Sequence, residues 1–113
     1  MKSSDTKISD LDAKIIKTLK VPDAMRDVVL VDFLSNIENL EGNIFVIDSD
    51  GSIKERLSTG RAGDSFVGVK IESGVIVANT WDGFSIKFDP LNFQKFAEVF
   101  GHSREWCGIL LIR

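Results

Sequence analysis

The stretch Pro22–Gly42, "PDAMRDVVLVDFLSNIENLEG", has two readings, and the fold turns on which one holds. Read with a period near 3.6, Leu30, Phe33, Leu34, Ile37 and Leu40 fall on one helical face. Pro22 fits a first helical turn, Asp23 and Asp27 lie near its positive end, and Gly42 follows as a stop. Read instead by residue type, "VVLV" at 28–31 is a β-branched run that suits a strand. The periodic reading is taken as the expectation, with the strand as its alternative.

Working toward the N-terminus, Ile8, Leu11, Ile15 and Leu19 recur at three- and four-residue steps, with Ile16 beside them. Lysines and aspartates fill the other face, so the spacing predicts a first helix over 5–20. Residues 1–4 read as a disordered tail.

Beyond Gly42 the period changes. "NIFVID" is a short apolar run between turn residues, as in a strand buried on both faces. "SIKERLS" is its polar partner. Val67, Val69 and Ile71, then Val75, Val77 and Asn79, then Phe84, Ile86 and Phe88 alternate with period two and predict a meander. Its turns are Ser73-Gly74 and Asp82-Gly83, with both central residues expected at positive φ. A third helix is expected after Asp89 as N-cap and Pro90 at the first position. There Phe93, Phe96, Ala97 and Phe100 make an apolar stripe, and Gly101 ends it. "ILLIR" would close the chain as a strand. The expected fold is a single α+β domain over 1–113: two N-terminal helices, a mostly antiparallel sheet of five to six strands, and one helix before the C-terminal strand.

Composition bounds the function. The chain has 113 residues, 14 basic and 17 acidic side chains, and 43% hydrophobic residues. That is an ordinary globular composition without a basic footprint for nucleic acid. No apolar run approaches the roughly 20 residues of a membrane span. One cysteine excludes an internal disulfide, and the N-terminal segment has no signal-peptide core, so a cytoplasmic location is expected.

Four segments carry chemistry-bearing residues. Asp48, Asp50 and Ser52 begin like a calcium loop, but position 6 is Ile53 and position 12 is Thr59, where glycine and glutamate are needed. The segment reads as a hairpin turn with Asp50-Gly51 at its tip. "TGRAGDS" at 59–65 lacks the lysine and spacing of a phosphate loop and reads as a surface loop. If it meets a ligand, Arg61 is the place. His102 and Cys107 are single residues of their kinds, too few for a structural zinc site, and a thiol–imidazole pair is the weaker reading of them. Asp82, Asp89 and Glu105 are explained by a turn, a cap and surface charge. Trp81 and Trp106 either pack over the helix end at Phe100 or anchor a partner.

Two segments resemble known families. "LSNIENLEGNIFVIDSDGSI" (34–53) resembles the opening of the roadblock/LC7 family, which implies a dimeric scaffold regulating small GTPases. "GVIVANTWDGFSIKFDPLNFQKFAEVF" (74–100) is similar to the half-domain of single-strand-binding transcriptional coactivators. That resemblance implies nucleic-acid binding, for which Arg61, Lys70, Lys87 and Trp81 are the candidates. Residues 61–113 hold six basic and six acidic side chains, a balance that argues against nucleic acid.

The function expected from the residues is therefore non-enzymatic, with no metal and no cofactor. A small acidic protein of the inhibitor or immunity type would cover a basic site on a protein partner, as a monomer or homodimer. The expected contact residues are the acids Asp50, Glu55, Asp64, Asp82 and Glu105, with Trp81 and Trp106.

Overall fold

A computed structural model describes residues 6–21, 25–34 and 40–100. Eight strands form two antiparallel sheets, and no α-helix occurs among the described residues. The first sheet holds β1 (Ile15–Val21), β2 (Arg26–Val31), β3 (Ile44–Ile47) and β4 (Ile53–Leu57). The second holds β5 (Phe66–Glu72), β6 (Val75–Thr80), β7 (Phe84–Phe88) and β8 (Lys95–Phe100). In both sheets spatial neighbours are chain neighbours, so each is a simple meander. The expected α+β architecture is thus replaced by an all-β one. No helix in the described residues is long and apolar enough to cross a membrane.

Within Pro22–Gly42 the strand reading holds over Arg26–Val31; Pro22, Asp23 and Ile37 of the expected helix lie outside the described residues. Val28, Val29, Leu30 and Val31 are all buried, alternately on the two faces of β2. Helix propensities among such residues differ by at most about 0.7 kcal/mol each. Burial of each side chain contributes about 1.5–3 kcal/mol, so two-sided burial decides the conformation. Opposite them on β3 stand Val46, Phe45 and Ile44, which share their faces and are likewise buried.

The segment expected as the first helix is a strap followed by β1. Ile53 N donates to Thr6 O at 2.8 Å, Ile8 N to Gly51 O at 2.9 Å, and Asp32 N to Lys14 O at 2.8 Å. The strap therefore crosses the outer face of the first sheet from β4 to β1. Ile8, Leu11 and Ala13 pack there over Val29, Val31, Phe45 and Ile47. Helical spacing of Ile8 and Leu11 is satisfied by a single 3₁₀ turn, Ile8–Asp10, capped where Lys7 N donates to the Asp10 carboxylate. Ile15 and Ile16, expected on the same apolar stripe, are exposed.

The third expected helix stops after one turn. Asp89 does act as a cap: Leu91 N donates to its Oδ1 at 2.8 Å, and Phe93 N to its carbonyl at 2.7 Å. Phe93 then adopts φ 61°, and Asp89 N donates to Gln94 O, which closes the loop and starts β8. A left-handed conformation costs an aromatic residue about 1–2 kcal/mol. Burial of the Phe93 ring between the sheets offsets it. Of the predicted stripe only Phe93 is buried; Phe96 and Phe100 are 57% and 69% exposed.

The sandwich core lies between the sheets. Val28, Leu30, Ile44 and Val46 meet Phe66, Val69, Ile76, Ala78, Ile86 and Phe88. At its end a fully buried Asn43 ties the sheets together. Its Nδ2 donates to Val31 O (2.8 Å) and Phe66 O (2.9 Å), and Phe66 N donates to its Oδ1 at 2.8 Å.

The hairpin and meander expected after Gly42 are present as β3 to β7. Of the expected turns, only Ser73-Gly74 has both residues at positive φ; at Asp50-Gly51 and Asp82-Gly83 the glycine alone does. In the roadblock-like segment the two strands are present as β3 and β4, Leu40–Gly42 form a 3₁₀ turn, and residues 35–39 of its expected helix lie outside the described residues. The coactivator-like reading keeps its two strands, β6 and β7, and loses its helix to β8. The expected C-terminal strand and the tail at 1–4 lie outside the described residues.

Candidate functional site

Three of the expected contact residues meet at one end of the sandwich. The loop between β4 and β5 is drawn tight there. Thr59, itself buried, donates from Oγ1 to the Asp64 carbonyl (3.0 Å) and accepts from Arg61 N at 3.1 Å. Gly60 and Gly63 take the positive φ values that allow the reversals. The loop then clamps the β6–β7 turn: Trp81 N donates to Ser65 O at 2.8 Å, and Asp82 N to Asp64 Oδ1 at 3.0 Å.

Asp64 corrects an expectation. It is not a surface acid but fully buried, and its Oδ2 has no hydrogen-bond partner. A buried carboxylate oxygen is costly to leave unpaired. One backbone N–H on its other oxygen offsets part of that cost.

Trp81 is exposed by 68%. Its ring does not pack on Phe100. It meets Phe33 edge-on, with centroids 5.4 Å apart and planes at 64°. Phe33 follows β2 in a turn where Leu34 N donates to Asp32 Oδ1, and Leu34 is 79% exposed. Phe33, Gly63, Ser65 and Trp81 line a pocket of about 210 Å³. Phe33 and Leu34 were read as helix core. Asp32, a turn-forming residue directly after a β-branched run, is the sequence signal that would have placed them in a turn.

Asp50 and Glu55 are exposed elsewhere, at the β3–β4 turn and on β4. Ser52 N donates to Asp50 Oδ1 at 2.9 Å, and this bond, aided by the Ser52 hydroxyl, holds the Asp50 carboxyl below its ordinary value of 3.8. Asp48 is engaged by Arg26 at 2.5 Å and Lys54 at 3.4 Å, so the first position of the calcium-like loop already carries two cations. Among the described residues no three metal-ligating side chains cluster.

Arg61 is not presented to a ligand. Its guanidinium lies 3.5 Å from the Phe84 ring centroid and pairs with Glu98, which also holds Lys95. Lys70 pairs with Glu72 at 3.5 Å, and Lys87 is exposed on β7. His102, Glu105, Trp106 and Cys107 lie outside the described residues. Comparison with protein-family models, with curated proteins and with solved structures gives no match.

Proposed function

We propose that this protein works by binding another protein through the Phe33–Trp81 end of the sandwich, as a non-catalytic inhibitor or immunity-type protein that covers a basic site on its target. The observation that carries this reading is Trp81. A large aromatic side chain stands 68% exposed on a turn held by two hydrogen bonds to the β4–β5 loop, beside Phe33 and the exposed Leu34. Exposed apolar groups on a rigid base, rimmed by carboxylates, are the features of an interface anchor. Asp32, Asp82 and Asp64 each adjoin a residue of this surface, which favours a basic counterpart.

Affinity capture from native lysate with wild type and Trp81→Ala tests it. The expected result is one protein recovered by wild type and lost by the variant, with affinity reduced about 30-fold or more. Recovery of nucleic acid in place of protein, or a variant that captures as well as wild type, refutes the reading.

A second reading rests on β8. Phe96, Val99 and Phe100 are exposed on a strand that, among the described residues, pairs only with β7. Two copies joined along this strand would form a homodimer. Sedimentation that stays monomeric at all concentrations removes this reading.

A further inference from the structure

The pocket between Phe33 and Trp81 has a chemistry of its own. Its aromatic walls are an exposed indole and the ring that meets it edge-on. Its remaining lining is small and polar, Gly63 and Ser65. Each lining element also carries an aspartate as chain neighbour: Asp32 before Phe33, Asp64 between Gly63 and Ser65, Asp82 after Trp81. Asp82 is exposed, and Asp64 is buried with one oxygen unpartnered. The nearest cation along the chain, Arg61, is spent on Glu98 and Phe84. An aspartate thus adjoins each aromatic and loop segment of the recess in sequence, Asp82 exposed and Asp64 buried, and a carboxylate held out of water acts on a cation with little screening.

We propose that this pocket takes an arginine side chain of the partner protein, stacked on the Trp81 indole and drawn in by the carboxylates of Asp82 and Asp64. The proposal rests on the reading of the Trp81 end as an interface and names what enters it. A planar guanidinium suits the site better than an ammonium. It stacks on an indole face with its N–H groups directed outward in plane, toward acceptors at the rim, and sheds water more readily. Asp64 does not need to touch the ligand. Its buried charge beside the lining residues raises the affinity for any cation in the recess. Asp82 N, bonded to Asp64 Oδ1, fixes the turn that carries both Trp81 and Asp82.

The test uses the whole ¹⁵N-labelled chain titrated with three blocked tripeptides, Ac-Gly-Xaa-Gly-NH₂, in which Xaa is arginine, lysine or citrulline. The arginine peptide is expected to bind in the millimolar range, with saturable shifts at the Trp81 indole N–H and the amides of Phe33, Gly63 and Ser65. Lysine should bind more weakly and citrulline, uncharged and nearly isosteric, should not saturate. Trp81→Ala should abolish the response. Asp82→Asn, at an exposed position that does not threaten folding, should weaken it about 3- to 30-fold. Asp64→Asn should also weaken it, provided its amide spectrum shows the native fold. Equal binding of arginine and citrulline, or of arginine and lysine, overturns the proposal. So does an unchanged affinity in Asp82→Asn. If Trp81→Ala loses a captured partner while the arginine peptide gives no shifts, the pocket assignment falls and the interface reading stands. Arginine bound at these residues with no protein partner captured supports the pocket and defeats the interface.

Discussion

Replacing Asn43 by alanine is expected to cost about 3–5 kcal/mol, among the largest losses available from a single polar side chain here. The amide makes three hydrogen bonds of 2.8–2.9 Å, to Val31 O, Phe66 O and Phe66 N, in a site with no solvent access. Truncation orphans a buried N–H, which costs about 1–3 kcal/mol, and removes a donor from each of two carbonyls at about 0.5–1.5 kcal/mol apiece. In urea the midpoint should fall by about 2 M at unchanged slope, since the slope scales with exposed surface and not with this contact. Glu72→Ala, at an exposed ion pair with Lys70, is the control and should change stability by less than about 0.5 kcal/mol. Asn43→Asp sharpens the test. It keeps the acceptor for Phe66 N but places an oxygen against two carbonyls, so the folded state favours the protonated acid. Its folded pKa is then raised above the unfolded value of about 3.9. Stability of this variant should be greatest below that pH and should fall as pH rises through the folded pKa. A loss below about 1 kcal/mol in Asn43→Ala, or an Asn43→Asp variant whose stability does not fall with rising pH, would refute the bracket as the tie between the sheets.

Phe96→Ala and Phe100→Ala should each cost under about 1 kcal/mol by thermal melting, because both rings are mostly exposed; a helix burying that stripe would give about 3–5 kcal/mol. Leu30→Ala, in the core of β2, should cost about 2–5 kcal/mol in the same assay. Trp81→Ala should shift stability by less than about 1 kcal/mol while removing partner capture, a separation that a core tryptophan could not show. The Asp50 carboxyl should titrate below 3.8 by NMR. Because its folded pKa is depressed, its contribution to stability is complete above the unfolded pKa and disappears as pH falls through the folded one. Ser52→Ala should move the midpoint only part of the way back, since the backbone donor remains.

The second half of the chain was legible where strands alternate and turns carry glycine. β3 was readable as an apolar run buried on both faces, and β5 to β7 from the period-two pattern and its punctuation. The misreadings share one cause. A stripe at i, i+3, i+4 and i+7 fits a helix whatever the chain does, and local signals agree with it up to the point where tertiary contacts decide. Asp89 caps a turn as its sequence promises; what ends the helix is Phe93, whose ring is buried only if its backbone turns left-handed. At 28–31 the β-branched run held the right answer, but two-sided burial depends on a strap and a second sheet that lie far away in sequence. In the candidate site, Trp81 and Asp82 were readable from their turn. The burial of Asp64 was not, because it depends on a hydrogen bond across eighteen residues. Phe33 was hidden by its agreement with a helical stripe.

The strap also sets an order of events during synthesis. Thr6–Lys14 is synthesised before its anchor at Gly51–Ile53, which is made roughly 40 residues later, a delay of about 2–8 s at 5–20 residues per second. Until then Val29, Val31, Phe45 and Ile47 lack their cover. The strap is thus made before the sheet it covers and settles after it, and native-state hydrogen exchange should find it the first of that layer to lift away.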